Sequence, residues 1–456
     1  MGETLKSSAG SPETLAQRKA GRRSAAAYPL AGLRVIDASR VLAGPYLAML
    51  LGDLGADVVK IERPAGGDQT RGWGPPFVTG PDGRQVSAYF LSANRNKRSV
   101  ALDLKAAAGR AAFERLLAGA DVLVENFLPA EWRRLGFHRS RFTRVFPRLV
   151  QVTVTSYGTR GPDADRPAYD IVLQAESGLM SLTGPPQGEP VRVGVAIVDV
   201  LAALYGLAGT LAALHGRDAR AVARRGRRGG RGQESQDGRG SQGSRAAGRG
   251  AAARHVEVSM ADAGTAFLGY AAQSFLADGR QPARLGSRHP NLTPYQAYAA
   301  ADGWLVLGAG SEDLWCRLCA ALERPDLAAD PRFATNAARV RHRAALDTCL
   351  GAVFATRPVA HWLEILRGHR VPAAPPADLG TALAEARARG QVTALPPGAY
   401  GALETVAAPL LFDHRRALPH RSPPALGEHT VEVLAQAGLR PAEIRALLAA
   451  GTAVAP

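Results

Sequence analysis

From residue 33 onward the hydrophobic positions alternate between two periods. LRVIDAS (33–39), ADVVKIE (56–62), SVALDLK (99–105), DVLVENF (121–127) and LVQVTVTSYG (149–158) are short apolar runs rich in β-branched residues. Between them, GPYLAMLLGDLG (44–55) and residues 107–118 carry helical spacing, the first closed by Gly55. Continuous apolar strands alternating with helices predict a parallel sheet covered on both faces. The expected fold is α/β, a doubly wound, Rossmann-like large domain with its ligand at the carboxyl ends of the strands.

Further along, Asp199 opens an apolar helix that ends near Gly216, HVEVSM (255–260) is a strand and residues 261–277 are a helix. NLTPYQAYAAADGWLVLGAG reads as two strands joined at Asp302-Gly303, a hairpin-type turn. Helices are expected over 312–322, 339–355 and 358–369, giving a smaller α+β domain. The organisation predicted is a tail (1–29), a large domain (30–216), an insertion (217–254), a linker (255–284), the small domain (285–380) and a return to the large domain (381–456). The longest apolar run, Val200 to Leu214, is short and rich in Ala and Gly, which favours a buried helix over a membrane span.

The net charge of +16 changes this picture once it is located. Residues 217–254 hold eleven Arg against Asp218, Glu234 and Asp237, half of the excess. An Arg/Gly arm binds RNA or anionic surfaces. The same composition also describes a disordered insertion that cannot form a core. The lack of aromatics to stack bases favours the insertion, so nucleic acid is not an expected partner. Residues 1–29 carry five basic residues and two acids, Glu3 and Glu13, with no apolar core of a secretory signal. A mitochondrial transit peptide and a plain tail both fit, the acids counting against the first. Cys316, Cys319 and Cys349 cannot build a disulfide framework, which fits a reducing compartment.

Three carboxylates stand close in sequence. Asp170, in RPAYDIVLQAESGLMSLTG, follows Tyr169 and opens a helix, where it is either a cap or a catalytic anion. Glu189 sits in the Gly/Pro loop GPPQGEP. Asp199 lies inside an apolar stretch, where a charge needs a partner or a task. Arg40, Arg63, Arg71, Lys97, Arg98, Lys105 and Arg134 are candidate phosphate ligands, several of them just after strand ends. SRVLAGP after the first strand is no GxGxxG, which argues against NAD or FAD, and GAGS (308–311) reads as a tight turn. The histidines lack metal-ligand spacing, so no metal is expected. Cys316 and Cys319 form a CxxC read as a core-helix pair.

LAGLRVIDASRVLAGPYLAMLLGDLGADVVKIERPAGGDQTR resembles the N-terminal signature of class III CoA-transferases, the CaiB/BaiF-type family that includes formyl-CoA transferase. SANRNKRSVALDLK, DVLVENFLPAEWRRLGF, PAYDIVLQAESGLMSLTG, VEVSM and PPALGEHT follow in the family's order. The resemblance covers residue 30 to the end, apart from the insertion. RLGSRHPNLTPYQAYAAADGWLVLGAG and GWGPPF look most like the succinate–hydroxymethylglutarate branch, which acts on dicarboxylic acids such as glutarate.

This resemblance implies an interlocked homodimer and transfer of CoA from an acyl-CoA to a free carboxylate through an enzyme carboxylate, with coenzyme A thioester as substrate and no tightly bound cofactor. It also implies a mitochondrial matrix location, with the cytoplasm as alternative. Family CoA contacts fall on Val41, Ala43, Arg63, Leu102, Lys105, Asn126, Phe127 and Arg134. Two positions depart: Arg40 stands where formyl-CoA transferase has His, and Thr155 where it has Lys. Formyl-CoA transferase carries its nucleophile in TG-x-x-D-G-x-P, whereas TGPPQGEP places Gln187 there, and an amide cannot serve. Asp170 is the first substitute, matching a catalytic Asp of the related racemase branch, followed by Asp199 and Glu189. An α-methylacyl-CoA racemase and a CoA-binding pseudoenzyme are the alternatives. Tyr169, where racemases carry His, argues against the racemase.

Overall fold

The computed structural model describes residues 28–229 and 254–456. The strands β1 (Arg34–Asp37), β2 (Asp57–Glu62), the hairpin β3 (Phe77–Thr79) and β4 (Gln85–Ser87), β5 (Lys97–Leu102), β6 (Val122–Glu125), β7 (Val150–Thr155) and β8 (His255–Ser259) belong to the larger part of the chain. All but the hairpin join one sheet, ordered Ala453–Val454, β5, β2, β1, β6, β7, β8. Pairing is parallel throughout except for the antiparallel C-terminal strand on β5. Chain order therefore reverses direction between β1 and β6, the switch point of a doubly wound sheet.

The pleat explains why these runs are apolar on both sides. Ile36, Val59 and Leu123 enter one core with Phe113, Leu116, Val433 and Ile444. Their neighbours Val35, Val58 and Val122 enter a second core with Leu47, Leu51, Val198 and Leu214. Helix α1 (Ala43–Asp53) is almost wholly buried on that second face, as an all-round apolar helix must be. Two glycines let the long helix come close: a Cβ at Gly206 would meet Leu47, and one at Gly209 would meet Val256.

Helix α2 is Asp170–Glu176 and helix α3 is Ile197–Gly229. The apolar helix expected to end near Gly216 thus runs on to Gly229. Its segment Ile197–Arg220 is long and apolar enough to cross a membrane by length and composition. Length therefore does not exclude a span, as the sequence implied. One face of that segment, Val198, Ala202, Ala203, Thr210, Ala213 and Leu214, is buried against α1, β7 and β8. Residues 217–229 of the insertion expected to be disordered are helical instead; 230–253, and the expected tail over 1–27, lie outside the described residues.

The chain divides into two units, 28–173 with 196–229, 254–267 and 390–456, and 174–195 with 268–389. The expected linker 255–284 is not one. Its first residues form strand β8, because HVEVS pairs along β7, and helices Met260–Phe267 and Gly269–Asp278 follow. The smaller unit begins earlier than residue 285 and takes in 174–195 as well. It holds the antiparallel strands Tyr295–Ala299, Trp304–Gly308 and Ala373–Ala374 around a core of Trp315, Phe333, Phe354 and Trp362. Only Cys319 of the CxxC joins that core. Burial pushes its thiol up to about 12, while Cys316 is exposed.

Candidate active site at the switch point

The loops after β1 and β6 part over the strand ends and are tied to each other. The Arg40 N–H donates to Asn126 Oδ1 at 2.9 Å, and Asn126 Nδ2 donates to the Arg40 carbonyl at 2.7 Å. Val41 follows with φ +72°, a left-handed conformation that costs a β-branched residue about 1–3 kcal/mol. It is held there by its N–H, which reaches both carboxylate oxygens of Asp68 at 3.3 and 3.4 Å.

Beneath this loop lies a buried ionic cluster. Lys60 bonds the Ser39 carbonyl and Asp68, each at 3.0 Å. Lys97 bonds Asp37 at 2.8 Å, the Pro45 carbonyl at 2.7 Å and Asn94 at 2.9 Å. Burial would raise the Asp37 carboxyl, but Lys97 and Lys60 outweigh it and hold it below the usual range. Burial pulls the other way on Lys97 and takes its ammonium down to about 8. Lys97 is therefore a structural cation. So are Arg71, which grips Glu62 with two 2.8 Å bonds, and Arg98, paired with Asp57 at 2.6 Å. These three were candidate phosphate ligands; their charges are spent inside the unit.

Two cavities open on the loops. The first, about 420 Å³, is lined by Leu102, Lys105 and Phe127, and the second, about 400 Å³, by Val41, Ala43 and Asn126. Arg40 and Arg63 line both. Seven of the eight positions expected to meet CoA thus border one cavity or the other. Arg134 borders neither and is exposed at the end of the helix Pro129–Arg134. Arg40 is partly neutralised by Glu131 at 2.8 Å, and its guanidinium lies 5.0 Å over the Phe127 ring. Thr155 borders the second cavity and accepts from the Gly158 N–H at 2.9 Å, a turn-forming bond.

Asp170 and Asp199 both line the second cavity. Asp170 is the first residue of α2, yet its Oδ1 serves a different helix. It accepts from Val198 N–H at 2.8 Å and Asp199 N–H at 3.4 Å, at the start of α3. Asp199 in turn accepts from the Ala43 N–H at the start of α1. Each acid thus faces helix N–H groups that favour an anion. Burial and the Asp170 charge nevertheless push Asp199 up to about 7. Asp199 thus keeps its proton to higher pH than an ordinary carboxyl, as an acid beside another in a dry site does.

Tyr89 lies near the two acids. Burial and the charges of Asp199, Asp170 and Asp68 push its hydroxyl up to about 12. The Trp73 ring stands 5.3 Å from Tyr89 and 6.3 Å from the half-exposed Tyr169. Glu189 and Gln187 are exposed loop residues of the smaller unit. Sequence reasoning missed Tyr89, Trp73, the Lys60 cluster and Glu125. The signal for Lys60 and Glu125 was present: each is a charge inside an apolar strand, the argument that singled out Asp199. Among the described residues, no group of three or more His, Cys, Asp or Glu is placed to hold a metal.

The acid pair has a measurable consequence for stability. Asp199 binds its proton more tightly folded than unfolded, so between the ordinary carboxyl value of 3.8 and about 7 the native state carries the extra proton. Stability then falls as pH rises through that window. Asp199→Asn is expected to flatten this decline, seen in urea midpoints at about pH 5 and about pH 8. Glu125, pushed up to about 7 by burial, acts with the same sign, so part of the slope remains. An unchanged slope in Asp199→Asn would contradict the pairing.

The comparisons with known proteins agree with one another. The model for CoA-transferase family III matches residues 30–233 and 243–430. The succinate–glutarate CoA-transferase of Agrobacterium fabrum is 35% identical over 412 residues, 90% of this chain and 95% of that protein. The human succinyl-CoA:glutarate CoA-transferase is 33% identical over 408 residues, 89% of this chain and 85% of that protein. A crystal structure of a CAIB/BAIF family protein from Brucella suis superposes with a TM-score of 0.72 at 33% identity, covering 90% of this chain and 99% of that one.

Proposed function

The chain belongs to CoA-transferase family III, an enzyme that transfers CoA between an acyl-CoA and a dicarboxylic acid, and from that premise we propose a donor, an acceptor and a nucleophile. The donor is succinyl-CoA or glutaryl-CoA, the acceptor a free dicarboxylate such as glutarate, succinate or hydroxymethylglutarate, and the nucleophile Asp170. The relatives named for succinate and glutarate support the substrate pair. One observation carries the nucleophile: Asp170 borders the cavity formed by Val41, Ala43 and Asn126, with its carboxylate held by the amides of α3.

The steps balance without a cofactor. An Asp170 oxygen attacks the thioester carbon, the C–S bond breaks, and CoA thiolate leaves behind a mixed anhydride. The thiolate attacks the Asp170 carbonyl carbon, releasing the donor acid and leaving an enzyme–CoA thioester. The acceptor carboxylate attacks that thioester and again expels thiolate. The thiolate then takes the acceptor's acyl carbon, giving the new acyl-CoA and free Asp170. When the thiolate or the acceptor attacks the Asp170 carbonyl carbon, the α3 amides on Asp170 Oδ1 stabilise the oxyanion that forms there. Asp199, raised to about 7, carries only part of a second negative charge beside it at neutral pH.

A homodimer is part of the same reading. Ile171, Val172, Leu204 and Tyr205 are exposed apolar side chains of the larger unit, a surface that subunit contact would cover. A mitochondrial matrix location, with the cytoplasm as the alternative, is its reading of the compartment and rests on the resemblance to the mammalian succinyl-CoA:glutarate CoA-transferases.

The test is a panel of acyl-CoA donors against free acids. Transfer from succinyl-CoA to glutarate is expected to exceed transfer to monocarboxylates by at least about tenfold, the worth of one charge-assisted contact. Equal rates for monocarboxylates, or α-proton exchange without any acceptor, would overturn the reading.

A further inference from the structure

One buried acid takes no part in this chemistry. Glu125, at the end of β6, is 2% exposed. Strand register sets it beside Thr153 of β7 and Thr153 beside Glu257 of β8, with Gln151 beside His255. These side chains share the sheet face turned away from Val124, Val152 and Val258. Both Glu125 oxygens are used, and every bonding partner is neutral. Oε1 accepts from Gln151 Nε2 at 3.1 Å and from the Thr153 hydroxyl, and Oε2 accepts from the Phe127 N–H at 3.0 Å.

The bond to Phe127 closes the turn by which the chain leaves β6. Asn126, inside that turn, ties down the Arg40 loop and lines the second cavity, while Phe127 lines the first. One carboxylate thus braces two neighbours that each border a CoA cavity.

That brace can take up a proton. Thr153 Oγ1 lies 2.8 Å from His255 Nε2. An ionised Glu125 only accepts, so the Thr153 proton points to it and the His255 ring N–H points to Thr153. A protonated Glu125 can donate to Thr153, which then donates to the ring nitrogen, so both states keep their bonds. Burial pushes Glu125 up to about 7 in spite of its hydrogen bonds, and the Glu257 charge adds to this. The titratable and charged groups facing it are His255 and Glu257 from β8, Arg133 and His138 from the segment after β6, and Arg160 from the loop after β7. Two of these charges are engaged: Glu257 accepts from Thr159 at 2.5 and 2.6 Å, and Arg133 pairs with Asp165 at 3.4 Å.

We propose that Glu125 is a positioning residue for CoA: its ionised carboxylate holds the turn that presents Asn126 and Phe127, and protonation slackens that turn. A hydrogen bond to a charged acceptor is about twice as strong as one to a neutral acceptor, so the turn is tightest with Glu125 ionised. CoA affinity therefore rises with pH through neutrality. The proposal rests on the reading that the two cavities hold CoA.

CoA itself is the probe, titrated by calorimetry into the purified full chain between about pH 6 and about pH 8. Over that range the wild-type Kd is expected to fall about fivefold relative to Glu125→Gln, whose amide keeps an oxygen for the Phe127 N–H and cannot ionise. The phosphates of CoA titrate alike against both proteins and drop out of the ratio. Thr153→Val keeps the side-chain shape but removes a bond that favours the ionised acid, so the midpoint of the change should move to higher pH. A Glu125 that only propped the sheet would produce neither effect. Superposable profiles for wild type and Glu125→Gln, a Kd that rises with pH relative to that variant, or an unmoved midpoint in Thr153→Val would each sink the proposal and leave the transferase reading standing. A wild-type chain that binds no CoA at any pH would sink both.

Discussion

Asp170→Asn is expected to lower kcat for CoA transfer by about ten-thousand-fold or more, because it removes the covalent route rather than weakening it. The substitution keeps an oxygen able to accept from Val198 and Asp199, which bond Asp170 Oδ1 at 2.8 and 3.4 Å. The fold should therefore lose no more than about 1 kcal/mol, the worth of one cap. Acyl-CoA supplied without acceptor should leave CoA on the wild-type chain as a thioester, visible in the intact mass and mapped to the peptide of α2. The variant should show none. Glu189→Ala, an exposed loop change, should keep near-full activity. Asp199→Asn should retain a reduced rate, since its proton matters more than its charge below about 7. Near-full transfer by Asp170→Asn, or a CoA adduct on Glu189, would end this assignment.

Why Asp170 was visible in the sequence while its role was not follows from where its partners lie. A helix start beside a Tyr is a local pattern, and it reads as a cap. The amides that Asp170 accepts from belong to α3, on the far side of the intervening segment 174–195, and no local pattern reports them. The strands were legible for the opposite reason. Burial on both faces makes Val35 and Ile36, or Val58 and Val59, apolar together, and that run survives in one dimension. Charges fared worst. Arg71, a candidate phosphate ligand in the 3-10 turn Gln69–Gly72, is absorbed by Glu62 and, from distant parts of the chain, by Tyr400 and the Pro424 carbonyl. Arg63 and Lys105, just after strand ends, stay exposed at the first cavity. The charge alone does not separate them in the sequence; the identity of the neighbours does in the fold.

Lys97→Met is expected to be the most destabilising change near the site, costing about 3–5 kcal/mol, the range for breaking a buried pair from one side. Lys97 and Asp37 are both fully buried, 2.8 Å apart. Without Lys97 the nearest cation to Asp37 is Lys60 at 3.9 Å, and Lys60 is already committed to Asp68 at 3.0 Å. The carboxylate must then take up a proton or draw Lys60 away, and Lys60 also holds the Ser39 carbonyl at 3.0 Å. Either response loosens the loop that carries Arg40 and Val41, so KM for acyl-CoA should rise along with the loss of stability. Replacing both charges separates the two effects. Lys97→Met with Asp37→Leu removes the orphaned anion, and swapping a buried pair for apolar groups is often nearly neutral. The double variant should therefore be more stable than Lys97→Met alone in urea, while its KM stays raised, since Asp37 also accepts from Ser39 N–H at 3.0 Å. Additive losses in the double variant would mean that the pair is not coupled, and that the positive φ of Val41 is held by Asp68 alone.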